Sequence, residues 1–311
     1  MPFNLLPEDT AAVPSSWFDA QHNPNYKNAV HKACHEEEIL ALRSFSNREM
    51  SVDEAAYAIT QPISTTPIQD TGGYSDDCIA LCHLWRLITK ALIEWPSTCT
   101  PDVIALVSAI TKIKDPIHRG EFLNDDDDDL CPWAKLPYLY MVWRETFWMT
   151  PGQIMRRATD ATAMRQAHEI YVKQQDVASR LVAARIWEEK RAFQYLVRTL
   201  ERIPTAADEC IATGDADAEG QLKLTMQIPA ASKWIQHNGE RLYRDFTEQR
   251  DWSKKDFPSM ALQFDQPVER WMFWQKRYVP LWTLRKSPSD KDCRGHDSSM
   301  LCYCRQRFEG I

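Results

Sequence analysis

A chain of 311 residues, 44% of them hydrophobic, is long enough to bury one large core or two closely packed ones. Its net charge of -7 excludes a general attraction to nucleic acid or to an anionic membrane surface. No stretch approaches the ~18 apolar residues of a membrane span, and Met1-Pro2-Phe3-Asn4 has neither the basic flank nor the apolar run of a secretory signal. Nine scattered cysteines, an odd number, fit reduced thiols in the cytosol or nucleus.

Residues 1–21 hold no helical period and are expected to form an arm. Asn25 to Phe45 reads as the first helix, with Val30, Ile39, Leu40 and Leu42 available to pack. Ser51-Val52-Asp53-Glu54 is a capping box, in which the serine hydroxyl takes an orphan amide and the glutamate reaches back to the cap. It predicts a short helix, Val52 to Thr60, stopped before Pro62, with a Thr/Pro/Gly-rich loop from Pro62 to Gly73. Ser75-Asp76-Asp77 start a strong helix, Cys78 to Glu94, striped by Leu81, Trp85, Ile88 and Leu92 and ended by Pro96. Thr100-Pro101 reads as a cap followed by proline, placing a helix over Asp102 to Lys114. Gly120 to Pro132 is a loop, and Trp133 to Phe147 a buried aromatic helix entered at Leu136-Pro137.

Gln153 to Ile203 contains no proline and no glycine. Asp160 can cap a helix there, and about 160–202 reads as one long central helix against which the others pack. Its apolar positions are Ala167, Ile170, Val177, Leu181, Ala184 and Trp187, with Gln174 out of character. Glu169 with Lys173, Asp176 with Arg180, and Arg185 with Glu189 place opposite charges one turn apart on the side expected to face water. Ala206 to Thr213 is a short helix, Pro229 opens Ala230 to Glu248, and Pro267 opens Val268 to Tyr278. Strand-like alternation is nearly absent. The expected fold is all-α: a single irregular multi-helix bundle over 22–282 around the long middle helix, with no significant sheet and a disordered tail over 283–311. Twelve tryptophans predict a core knitted by aromatics; an aromatic-lined ligand pocket is the sharper alternative.

No residue set announces catalysis, no cofactor is implied, and no metal ligands are assigned. Asp125 to Asp129 satisfies the D-D-x-x-D pattern with which magnesium holds a diphosphate, but it lies in what reads as a solvated loop, without a second metal motif. His31 and His35, one turn apart with Cys34 and Glu38 nearby, have zinc-ligand spacing but no nameable further ligand; they read as a surface helix. Cys293, His296, Cys302 and Cys304 have tighter spacing than structural zinc sites and read as a reduced tail. His83, His168 and His237 lack a partner visible in sequence, which acid-base chemistry requires. Arg156-Arg157 and Lys254-Lys255 are too sparse for a nucleic-acid groove.

Several segments in order resemble a fungal family of uncharacterised all-helical proteins. They are Val52-Asp53-Glu54-Ala55-Ala56, Leu84-Trp85-Arg86-Leu87, and Trp133-Ala134-Lys135-Leu136-Pro137 with Trp143. Next come Gln175 to Leu181, Leu200-Glu201, Pro229 to Ile235 with Gly239, and Glu269-Arg270-Trp271-Met272-Phe273-Trp274. The resemblance covers about 50 to 280 and brings no catalytic residues with it. Some members look to be encoded among genes for fungal secondary metabolites. It therefore implies an accessory, non-catalytic role in such a pathway, binding a pathway protein or a small molecule, with no nucleic-acid or membrane partner. A pathway enzyme acting on an apolar or aromatic intermediate between helices is the alternative, and a cytosolic interaction scaffold is a third.

Overall fold

The computed structural model describes residues 4–10, 12–21, 29–65, 76–114, 117–118, 130–131, 133–147, 149–201, 218–248, 264, 266, 268–274 and 276. Their regular structure is helical apart from one two-residue antiparallel ladder, β1 (Ile117–His118) on β2 (Leu130–Cys131), which agrees with the all-α expectation. No described helix is long and apolar enough to cross a membrane. The chain divides into two compact units, Met1–Trp148 and Met149–Ile311, where one domain over 22–282 was the expectation.

In the first unit α1 (Ser15–Asp19) is followed by α2 (Ala29–Ser46), α3 (Val52–Thr65), α4 (Asp76–Glu94), α5 (Thr100–Ile110) and α6 (Leu139–Thr146). Helix α2 packs on α3 and α4, α3 on α5, and α4 on α6. The stripe of α4 is buried throughout, at Leu81, Trp85, Ile88 and Leu92. Glu94 at its end fastens the N-terminal segment. Its carboxylate accepts from the Asn4 amide at 3.0 Å and the Trp17 indole at 2.7 Å, and its carbonyl accepts from the Leu6 amide at 2.7 Å. Trp17, Phe18 and Trp95 then meet edge to face.

The Ser51–Glu54 capping box forms as expected, with each backbone amide bonded to the other's side chain. The expected stop before Pro62 is overturned: α3 runs on to Thr65 with Pro62 inside it. An interior proline costs about 3 kcal/mol. Ala55, Ala56, Ile59, Pro62 and Ile63 form one buried face against the neighbouring helices, and each fully buried isoleucine alone contributes about 1.5–3 kcal/mol. Helix α5 is capped at Cys99, without a side-chain bond, rather than at Thr100, and it ends at Ile110 rather than Lys114.

The expected helix Trp133 to Phe147 is divided into a 3-10 turn, Trp133–Lys135, and α6. Between them Leu136 and Tyr138 take left-handed conformations, φ 43° and 64°, on either side of Pro137. Such residues cost about 1–2 kcal/mol each. What holds the turn is Trp85, whose indole donates to the Pro137 carbonyl at 2.6 Å, together with the full burial of Trp133.

In the second unit α7 (Pro151–Arg157) leads to α8 (Ala161–Ala183), α9 (Lys190–Leu196) with a π-turn over Val197–Glu201, and α10 (Ala218–Thr247). A last helix, α11, covers 268–274. Asp160 caps α8 as expected, accepting from the Thr162 and Ala163 amides at 2.8 Å. These bonds hold its carboxyl below the ordinary carboxylate range. A capping box that sequence inspection missed, Thr150 with Gln153, opens α7 around Pro151.

The single helix expected over 160–202 is broken. Helix α8 ends at Ala183 in a Schellman turn: Ile186 donates to the Leu181 carbonyl and Arg185 to that of Val182, with Arg185 left-handed at φ 61°. The left-handed position is normally glycine's, which is why no glycine or proline signal marks the break. Arg185 is exposed. Arg185→Gly is expected to stabilise the unit by about 0.5–1 kcal/mol, read as a rise in Tm, because glycine carries no left-handed penalty. An unchanged or lower Tm would show that the arginine is not strained there.

Helix α10 likewise starts at Ala218 and passes through Pro229, where the sequence expectation began it. Eight of the twelve tryptophans are buried among the described residues, which makes the aromatic core reading the right one for them. Residues 66–73 of the loop expected from Pro62 to Gly73, most of the loop expected from Gly120 to Pro132, the helix expected over 206–213 and the expected tail lie outside the described residues.

Candidate functional site

Around Asp176, the side of α8 expected to face water is the side on which α10 packs, while Glu169 stays exposed. Lys173, Gln174, Gln175, Asp176 and Ser179 are all buried. The expected Asp176–Arg180 pair does form, Arg180 Nε donating to Oδ2 at 2.9 Å, but at a buried carboxylate rather than on a wet surface. A carboxylate leaves water only when countercharges and donors replace its hydration. Helix α10 supplies them: His237 Nε2 lies 2.9 Å and Lys233 Nζ 3.8 Å from Oδ1.

The neighbouring turns make a polar seam of the same kind. The Trp234 indole donates to Gln175 Oε1 at 3.1 Å, Asn238 to the Ser179 carbonyl at 2.9 Å, and Arg241 to Glu189 at 3.0 Å. Lys233, His237 and Arg241 recur every four residues, so one face of α10 is cationic where it meets Asp176. That spacing was legible in the sequence. What was missing was the identity of the helix it faces.

Burial by itself raises the Asp176 pKa, but the His237 bond and the charges of Lys233, Arg180 and His237 outweigh it. The carboxyl is held at about 2, against an ordinary 3.8. Next to the cluster, Tyr195 stacks on Trp234 with ring centroids 5.4 Å apart, and its hydroxyl meets that of Tyr171 at 3.1 Å. Burial pushes the Tyr171 phenol up to about 12 and that of Tyr195 well above its ordinary value. Both stay protonated hydrogen-bonding groups at neutral pH.

A second polar group sits deeper in the same unit. Glu201 Oε1, at the end of the π-turn, accepts from Arg270 Nε at 3.0 Å and from the Trp274 indole at 2.8 Å. Neither side chain of the ion pair is exposed. The Arg270 guanidinium lies 5.3 Å from the Phe193 ring centroid and 4.9 Å from that of Phe264. Trp271 packs on Phe246 and Tyr243 and closes against Gly239, where an added β-carbon would stand 3.4 Å from its ring. This pair ties α11 into its core.

Of the histidines singled out from sequence, His237 is bonded to Asp176. His168 is half-buried on α8, eight residues and so about 12 Å along the axis from Asp176. His83 is half-buried on α4 of the first unit. Glu38 is buried on α2, while the side chains of His31, Cys34 and His35 lie outside the description. Arg156 and Arg157 are exposed at the end of α7. Asp125 to Asp129, Lys254-Lys255, Cys293, His296, Cys302 and Cys304 lie outside the described residues. Among those described, no group of three or more histidine, cysteine or carboxylate side chains is placed to hold a metal ion.

No curated protein and no solved structure matches the chain. One family model matches residues 85–278, spanning α4 to α11 and so both Trp85 and the Asp176 and Glu201 clusters. On that match the chain belongs to the family described as "Protein of unknown function (DUF3632)".

Proposed function

We propose that the protein is a non-catalytic binding component, accessory to fungal secondary metabolism, that holds a pathway protein or a small molecule. The observation that carries this reading is how the polar side chains of the second unit are used. Trp234, His237, Asn238 and Arg241 are all engaged in bonds from α10 to α8 or the segment after it. His237 and His168 do not converge. The pathway assignment is supported by the likeness of the quoted segments to the fungal family. Comparative metabolite profiling of strains with and without the gene tests it: a lost or altered metabolite is expected, and an identical profile overturns the assignment.

One observation favours a second reading, that of a pathway enzyme. Asp176 and His237 at 2.9 Å form the carboxylate–imidazole pair that general acid-base chemistry uses. That reading predicts turnover of a pathway intermediate by the purified protein, abolished by His237→Asn in a variant that still folds.

A further inference from the structure

We propose that the Asp176 cluster is a binding site for an oxyanion, the carboxylate or phosphate group of a small anionic molecule. The inference rests on the binding role proposed above and specifies its ligand class. Lys233 and Arg180 are both held against one carboxylate, Nζ at 3.8 Å and Nε at 2.9 Å, so their charged groups face a common point. Neither is used up there. A guanidinium has five N–H donors and an ammonium three. Arg180 gives one to Asp176, and Lys233 makes no hydrogen bond to any described residue. The two side chains are 28% and 23% exposed and sit beside the buried carboxylate of Asp176. In such a setting a charge is screened less than on an open surface.

The charges decide the sign. Two permanent cations against one carboxylate leave a net positive charge of one, before any charge on His237. An incoming oxyanion therefore meets two attractions and one repulsion. Removing Lys233 cancels the net attraction; removing the charge of Asp176 doubles it.

The test titrates the full-length protein at pH 7 and low ionic strength by calorimetry, with inorganic phosphate in one arm and benzoate in the other. Which arm binds identifies the source of the oxyanion. Lys233→Met, which keeps the stem and loses a charge that makes no hydrogen bond to a described residue, is expected to weaken binding by about tenfold or more. Asp176→Asn is expected to tighten it by a comparable factor, although it destabilises the fold. That sign is opposite to what a purely structural cluster would show. Arg244→Met, at an exposed position on the same helix, is the control and should leave the affinity unchanged. The proposal is overturned if neither anion binds the wild-type protein below about 10 mM, or if binding ignores Lys233→Met, or if Asp176→Asn fails to tighten it. Because the readout is affinity of the purified protein, a negative result removes the ligand class alone. An unchanged metabolite profile removes the pathway role alone.

Discussion

Glu201→Ala is expected to destabilise the second unit by about 3–5 kcal/mol, the usual cost of leaving one member of a buried ion pair without its partner. The Arg270 guanidinium is fully buried and would lose its carboxylate partner, for which the faces of Phe193 and Phe264, at about 2 kcal/mol at most, do not compensate. The Trp274 indole would lose its acceptor as well. Since a whole domain is stable by only about 5–15 kcal/mol, the variant should show a large fall in its urea midpoint by tryptophan fluorescence. A double variant, Glu201→Leu with Arg270→Met, removes both charges and should be less damaged than Glu201→Ala. Its residual loss reflects the unpaired indole, about 1–3 kcal/mol. A Glu201→Ala loss below about 1 kcal/mol would mean that the pair does not hold α11 in place.

Asp176→Asn should lower stability by about 2 kcal/mol at pH 7, and the loss should vanish on acidification. In the folded protein this carboxyl titrates at about 2, while in the unfolded chain it returns to about 3.8. Between those values the unfolded state binds more protons. The stabilisation is therefore complete above about pH 5 and fades as pH falls through 4 towards 2. Urea unfolding curves at pH 7, 4 and 2.5 should show the gap between wild type and variant nearly intact at pH 4 and cut to about a third at pH 2.5. A constant gap across the series would assign the effect to packing rather than to charge. The arginine, lysine and histidine left without a countercharge are only partly buried, which keeps the cost below that at Glu201.

Several helix starts were legible where a short side chain marks an orphan amide, although Thr100 does not cap α5. Ser51, Asp160 and the Asp76 region each mark a real start, because capping is decided within three residues. The stripe of α4 was legible for the same local reason, as was the absence of an extended sheet among the described residues. Helix ends were not. Pro62 and Pro229 lie within helices, because packing of the faces around them outweighs a local penalty. The break after Ala183 carries an arginine where a glycine would have announced it.

The charge pattern of α8 shows the same division most clearly. Sequence alone determined that Asp176 and Arg180 stand one turn apart and attract, since that follows from 3.6 residues per turn. Only the tertiary structure decided that the pair is buried, because a solvated face and a face covered by a cationic helix carry the same residues. What separates them is whether Lys233 and His237, more than fifty residues further on, arrive to replace the water.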